Sequence, residues 1–184
     1  MKKQIGKLMI RMMGWKIHPE LPPEIKKCVL VMAPHTSNWD FFIGSMAFWG
    51  IYQIDVKLLI KKEIFFPPLS WVLKWMGGIP VDRKNKTNLT QVISDMYAQQ
   101  DELTMVFTPE GTRSYNPRWR KGFYYIAQQA NVPIVLGFLD FPSKTGGVFK
   151  VFHPTGDVDQ DIAEIKKMYL NYKGRFPDQG IIAD

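Results

Sequence analysis

The sequence predicts an α/β fold: a single domain with a mixed sheet flanked by helices, preceded by an N-terminal amphipathic helix. Short apolar runs of strand length, such as Cys28 to Ala33 and Leu103 to Phe107, alternate with longer stretches of helical spacing, such as Thr87 to Gln100. That alternation marks a sheet covered by helices. The chain has 184 residues, 46% of them hydrophobic, which is enough for one complete core and too little for two ordinary domains. No internal repeat or low-complexity linker divides it. The expected organisation is a basic amphipathic helix and proline-rich entry over residues 1–23, then the main domain over residues 24–184.

The elements follow in order. Over residues 2 to 16, Ile5, Leu8, Met9, Met12 and Met13 fall on one side of a helical wheel and Lys3, Lys7 and Arg11 on the other, with Ile10 and Lys2 breaking the pattern. Such a helix either lies in a membrane interface or packs on the domain's own core. Pro19, Pro22 and Pro23 form a rigid entry, with His18 beside them as a surface residue. Cys28 to Ala33 reads as a buried strand ended by Pro34. Ser37 or Asn38 is the expected N-cap of a helix carrying Phe41, Phe42, Ile43, Met46 and Phe48.

A short strand is expected at Lys57 to Ile60, then an unusually apolar connection, Phe65-Phe66-Pro67-Pro68, and a helix with Leu69, Trp71, Val72, Leu73, Trp75 and Met76. These aromatics suit either a lipid-facing edge or a core contact. Gly77-Gly78 stops that helix and Ile79 to Arg83 begins the next element. Thr87 to Gln100 is a core-packing helix, Leu103 to Phe107 a buried strand, and Gly122 to Asn131 a helix. Strands over Val132 to Phe141 and Gly147 to Phe152 and a helix over Ile162 to Tyr172 complete the pattern.

Composition narrows the function. The net charge of +7 and a pI near 9.4 favour an anionic partner: nucleic acid, a phosphorylated small molecule or an acidic membrane surface. The one cysteine, Cys28, excludes an intrachain disulfide and sits in an apolar run, as inert buried cysteines do. No run reaches the roughly 20 apolar residues that span a bilayer, and the start lacks a secretory signal. The expected location is cytoplasmic. His18, His35 and His153 lack ligand-like spacing and His-Glu-x-x-His is missing, so no metal site is expected. A nucleic-acid module lacks any recognisable motif, and the aromatics sit in apolar runs rather than among the lysines.

Chemistry is expected at His35-Thr36-Ser37-Asn38-Trp39-Asp40. A histidine at a strand end, before a helix start, lies in a crevice. An aspartate one turn into the helix can reach back, bond one ring nitrogen, fix the tautomer and leave the other free to take a proton. The pair would activate a substrate hydroxyl. Ser37 is the rival nucleophile, but it is only two residues from His35 and no Gly-x-Ser-x-Gly turn is present. Thr108-Pro109-Glu110-Gly111-Thr112-Arg113-Ser114 ends another strand with a carboxylate, a glycine and a guanidinium together. The glycine allows close backbone approach, and arginine is shaped to hold phosphate. Ligands in α/β folds collect at such strand ends, where His35, Arg83 and Glu110 all fall.

These blocks resemble the glycerolipid acyltransferase family, whose best-known members are the bacterial lysophosphatidate acyltransferases. His35 to Asp40 is similar to its His-x4-Asp motif, Gly77 to Arg83 to its second block, Phe107 to Ser114 to its third and Val132-Pro133-Ile134 to its fourth, all in the family's order. The resemblance implies His35 as general base and Asp40 as its orienting partner, acting on an acyl thioester of CoA or acyl carrier protein. Neither a bound cofactor nor a metal is implied.

Arg83, Glu110 and Gly111 would shape the acceptor site, with Thr112 beside them and Arg83 on the acceptor's phosphate. Arg113 and Lys121 are further anion contacts expected from charge and location, and Pro133 would help form an apolar wall. The implied acceptor is a lysophospholipid, by default 1-acylglycerol-3-phosphate, at the inner face of a membrane. Pro34 before His35 and Pro80-Val81 before Asp82 depart from the common pattern, and the alternative acceptor is another hydroxylated lipid or small molecule. A basic anion-binding or nucleic-acid-binding module without catalysis is the reading from another class.

Overall fold

The computed structural model describes residues 1–82 and 89–181. Helix α1 (Lys2–Met12) and strand β1 (Lys16–His18) precede strand β2 (Lys27–Met32), helix α2 (Asn38–Ala47) and a π-helical turn at Phe48–Tyr52. Strand β3 (Val56–Lys61), helix α3 (Leu69–Trp75), strand β4 (Gly78–Val81), helix α4 (Leu89–Gln99) and strand β5 (Leu103–Phe107) follow. Helix α5 (Gly122–Ala130), strands β6 (Ile134–Asp140) and β7 (Thr145–Phe152) and helix α6 (Val158–Tyr169) complete the described chain.

One seven-stranded sheet has the order β1-β7-β6-β2-β5-β3-β4. Neighbours are parallel except β6 and β7, so the edge pair β1 and β7 runs against the other strands. The mixed α/β architecture matches the expectation. β2, β5 and β6 are covered on both faces, which is why they read as continuous apolar runs. One layer packs Ile93 and Tyr97 of α4, Phe123 and Ile126 of α5 and Ile165 and Tyr169 of α6 against them. The opposite face receives Phe48 of the π-helical turn, and a neighbouring cluster joins Ile10, Trp15, Ile43, Met46 and Trp49.

Three differences from the expected elements have physical causes. β1 was not legible because its three residues pair with β7 through backbone alone. The π-helical turn after α2 ends at Gln53, a non-glycine residue in the left-handed region. α1 packs through Gly6 and Ile10, the latter a residue outside its apolar stripe, while Ile5, Leu8 and Met12 stay exposed. Gly6 meets Gly50 backbone to backbone: a Cβ on Gly6 would lie 2.5 Å from both Gly50 N and Met46 O. That close approach, rather than the density of apolar residues, selects the buried face.

Two buried polar groups anchor the helical layer, one to the sheet and one between helices. Tyr169 of α6, fully buried, puts its hydroxyl 2.9 Å from the Val31 carbonyl and 3.0 Å from that of Gly137. Asp161 accepts from the Tyr124 hydroxyl and from Thr155 through both N–H and Oγ1. Burial alone would raise the Asp161 pKa, but these donors prevail and hold it below the ordinary aspartate value.

The packing of α1 generates a first prediction. Gly6→Ala forces backbone apart, so it is expected to cost about 1–3 kcal/mol, the range for overpacked sites. Urea unfolding midpoints read the loss; an unchanged midpoint would show that the helix does not depend on this contact.

Candidate active site

β2 and β5 lie side by side in parallel register, Val31 opposite Phe107. The loops leaving their carboxyl ends therefore emerge together, and one carries His35 while the other carries Glu110. After a cis Ala33–Pro34 peptide, residues 35–37 turn into α2. Ser37 is the N-cap: its Oγ accepts from Trp39 N at 3.2 Å, and the Asp40 carboxylate accepts from Ser37 N to close a capping box.

A single oxygen of Asp40, Oδ2, receives three donors. They are the Thr36 and Ser37 amides, each at 2.9 Å, and His35 Nδ1 at 3.0 Å. An oxygen that already takes two amide donors accepts from the ring as well, so Nδ1 is the donor of this contact. Among the described residues Nε2 has no hydrogen-bond partner. The two side chains are mostly but not fully covered, 17% exposed for His35 and 10% for Asp40.

Glu110 holds the same turn from the other side, its Oε1 accepting from His35 N at 3.1 Å. It is buried, and its Oε2, like Asp40 Oδ1, has no partner among the described residues. Burial pushes the Glu110 pKa up, against the lowering effect of its hydrogen bonds, and the nearby Asp40 charge raises it further. The turn around it is fixed by Gly111 N to Thr108 O at 3.0 Å, Arg120 N to Pro109 O at 2.8 Å and Asn116 Nδ2 to Glu110 O at 2.8 Å. Gly111 adopts a φ of +66° and lies under the Arg120 side chain, whose Nε would be 2.4 Å from a Cβ there.

The structure thus joins His35, Asp40, Glu110 and Gly111. Thr112 and Arg113 follow on the exposed part of the turn, the Thr112 hydroxyl accepting from Ser114 N. Lys121 pairs with Asp159 at the surface, and Arg120 lies against Gly111. Pro133 stands at the amino end of β6, its carbonyl bonded to Val29 N. His35 follows the carboxyl end of β2, so Pro133 lies toward the opposite end of the sheet. Arg83 lies outside the described residues.

Sequence reasoning missed the chain beyond α6. Lys173 N donates to Asp140 Oδ1 and Phe141 N to Lys173 O, anchoring a strap. Gly174 then packs on Thr36, Phe176 N donates to Thr36 Oγ1 at 3.2 Å, and the Arg175 guanidinium lies over the Trp39 ring at 5.5 Å. No local pattern marks this segment, because its partners lie about 140 residues away. No cluster of His, Cys, Asp and Glu able to hold a metal occurs among the described residues.

Similarity to known proteins agrees with this geometry. The family model described as Acyltransferase matches residues 15–135. A 1-acyl-sn-glycerol-3-phosphate acyltransferase of Limnanthes alba is 30% identical over 137 residues, covering 71% of this chain and 47% of that protein. The human beta form of that enzyme is 26% identical over 152 residues, covering 79% and 53%. The chain spans about half the length of these curated relatives. The crystal structure of the 1-acyl-sn-glycerophosphate (LPA) acyltransferase PlsC from Thermotoga maritima superposes with a TM-score of 0.59 over 94% of this chain and 80% of that one. At 16% identity, that likeness speaks for the fold. With most of its length matched by the family model and its histidine and aspartate bonded at the carboxyl end of the sheet, the chain belongs to the acyltransferase family.

Proposed function

We propose that the protein moves an acyl group from a thioester, acyl-CoA or acyl carrier protein, to the hydroxyl of a lysophospholipid, by default 1-acylglycerol-3-phosphate. The observation that carries this reading is the His35 Nδ1 to Asp40 Oδ2 contact at 3.0 Å, with Nε2 unpartnered among the described residues. Nε2 accepts the acceptor's hydroxyl proton as the oxygen attacks the thioester carbonyl, and Asp40 stabilises the imidazolium that forms. Collapse of the tetrahedral intermediate breaks the carbon–sulfur bond. The departing sulfur takes the proton from His35, which restores the neutral ring and releases the free thiol. The donor brings its own activated carbonyl, so neither a protein-bound acyl group nor a metal is needed.

The acceptor assignment rests on the names of the relatives and on cations around the turn. Arg113 is exposed beside the Glu110 turn, and Arg83 occupies the matching position of the second sequence block. The alternative acceptor is another hydroxylated lipid. Glu110 serves in this mechanism as a positioning residue, holding the His35 peptide at the height Asp40 requires.

A membrane surface is the proposed working place. No helix of the described residues is long and apolar enough to cross a membrane. The exposed apolar surface instead comes from Ile5, Leu8 and Met12 of α1 and from Phe66, Trp71 and Trp75 beside or within α3. The two helices meet where Lys2 lies over the Trp75 ring. Aromatic and aliphatic side chains edged by lysines suit the interface of an anionic bilayer.

The acyl-transfer reading is tested by thiol release from acyl-CoA and acyl-carrier-protein donors against lysophospholipids and other hydroxylated acceptors. Positioned base catalysis contributes about 10²- to 10⁴-fold, so His35→Ala is expected to lose turnover by that order while unfolding normally. Undiminished turnover would remove His35 from the mechanism.

Glu110 generates a pH prediction. Its folded pKa lies above the ordinary value of 4.5, so its stabilising contribution is fully present below that value and lost as pH rises through the folded one. Glu110→Gln removes the cost of ionisation, so its unfolding midpoint should gain on the native protein's as pH is raised from acid. Parallel pH profiles would refute a raised pKa.

Sedimentation with anionic vesicles reads the membrane assignment. Trp71→Ser is expected to lower the bound fraction without affecting unfolding, and Leu8→Ser likewise. Equal binding by both variants and the native chain would move the contact elsewhere.

A further inference from the structure

The chain after α6 runs back to the turn that carries His35. Lys173 N donates to Asp140 Oδ1 at 2.8 Å and Phe141 N donates to Lys173 O at 3.0 Å, so the segment sets out from the carboxyl end of β6. It then passes Thr36, where Phe176 N donates to Oγ1 at 3.2 Å, and Trp39, whose ring lies under the Arg175 guanidinium. One short helical turn, Pro177–Gln179, brings Gly180 beside Pro34: a Cβ there would stand 3.6 Å from Pro34 Cβ. Ile181 packs on the main core cluster. This strap is anchored at both ends. Between them it meets the residues immediately before and after His35 and the one immediately before Asp40.

Thr36 links the strap to the pair. The residue is buried, and its N–H shares Asp40 Oδ2 with His35 Nδ1, the two donors lying at 2.9 and 3.0 Å. Any displacement of residue 36 therefore moves a donor on the very oxygen that holds the ring. Glu110 and Asp40 hold the turn by its amides, whereas the strap holds it by a side chain. Gly174 shows how close the fit is, since a Cβ there would lie 2.5 Å from Thr36 Oγ1 and 2.8 Å from Cγ2. Its φ is not positive, so the position excludes volume rather than requiring a glycine conformation. The strap lies wholly beyond residue 135, where the family match ends.

We propose that the strap from Lys173 to Gly180 positions the His35 and Asp40 pair through Thr36, so that the base is competent only with the strap seated. This role rests on the acyl-transfer reading, in which Nε2 takes the acceptor's proton. A catalytic constellation is productive only within about 0.5 Å of its geometry, and misplacement by about 1 Å can cost about a hundredfold in rate. Thr36 and Gly174 are positioning residues in this scheme, acting on the reaction through the ring they steady.

The test uses the full chain and two readouts. Thr36→Val keeps the shape and removes the oxygen that accepts from Phe176 N. Its kcat for thiol release is expected to fall roughly tenfold or more, with KM for donor and acceptor little changed, because the lost interaction acts on the chemical step. Gly174→Ala should do the same by forcing the strap and Thr36 apart. Thr36→Ser keeps the oxygen and should recover most of the loss. The second readout needs no substrate: nuclear magnetic resonance of isotope-labelled histidine follows the proton on His35 Nδ1, with His35→Ala identifying its signal. That signal is expected to shift in Thr36→Val and in Gly174→Ala and to stay in place in Thr36→Ser. Should Gly174→Ala fail to fold, Thr36→Val carries the test, since it adds no volume beneath the strap. The proposal is overturned if Thr36→Val turns over like the native chain, if its loss lies in KM alone, or if Thr36→Ser loses as much. An unchanged His35 signal in Thr36→Val overturns it even where turnover falls. If the native chain releases no thiol from any donor, the acyl-transfer reading fails, and the ring signal still decides whether the strap holds His35.

Discussion

Three consecutive peptide N–H groups, those of His35, Thr36 and Ser37, all point at carboxylates, the first at Glu110 and the next two at Asp40. The site depends on this constraint. A turn between a strand and a helix leaves its amides without ladder partners, and a buried amide without a partner costs free energy of the order of a lost hydrogen bond. Here the two acids supply the partners, and the amides in turn offset the expense of removing carboxylates from water. Asp40 Oδ2 also fixes the His35 ring, so capping the helix and selecting the tautomer are one act of one atom. Charge-assisted hydrogen bonds are about twice as strong as neutral ones, which suits them to fixing the orientation of the ring.

The sheet explains why the second acid can come from far away in sequence. His35 and Glu110 are 75 positions apart, yet parallel pairing of β2 with β5 brings their loops out together. On the other flank, Tyr169 inserts its hydroxyl between the carbonyls of Val31 and Gly137 and so bridges β2 to β6 just before the turn. Burial pushes the Tyr169 pKa well up, so the phenol stays a donor. The strap beyond α6 then closes over Thr36. The turn is thus held from β5, from α6 and from the chain's final segment, and only Nε2 of the ring is spared a structural duty.

Local physics made much of this legible. The period of apolar residues revealed the strands β2 and β5 and the helices α4 and α5, and a helix start at Ser37 or Asn38 set Asp40 one turn on, where it could turn back on His35. Legibility stopped where the cause was long-range. Lys121 and Arg120 are adjacent cations, and only the placement of α6, which brings Asp159 to Lys121, shows that the first is paired while the second lies against Gly111. Pro133 sits in a recognisable block, but a block's place in sequence does not tell which end of a strand it occupies. In α1 the apolar stripe left the core and membrane readings both open; the contact of Gly6 with Gly50, which carries no hydrophobic signal, turns Ile5, Leu8 and Met12 outward while Met9 and Met13 pack inward.

The seating of α1 bears on the proposed contact with lipid. A helix that used its apolar stripe for packing would leave only lysines outside, and its attraction to a membrane would be electrostatic and screened by salt. Packing through Gly6 and Ile10 leaves Ile5, Leu8 and Met12 outside, and Trp71 and Trp75 of α3 are exposed as well. The glycine contact thereby does two things at once. It seats the helix with backbone atoms, which need no side-chain area, and so frees the aliphatic side chains for another apolar phase. Exposed apolar clusters on this scale are rarely left without a use.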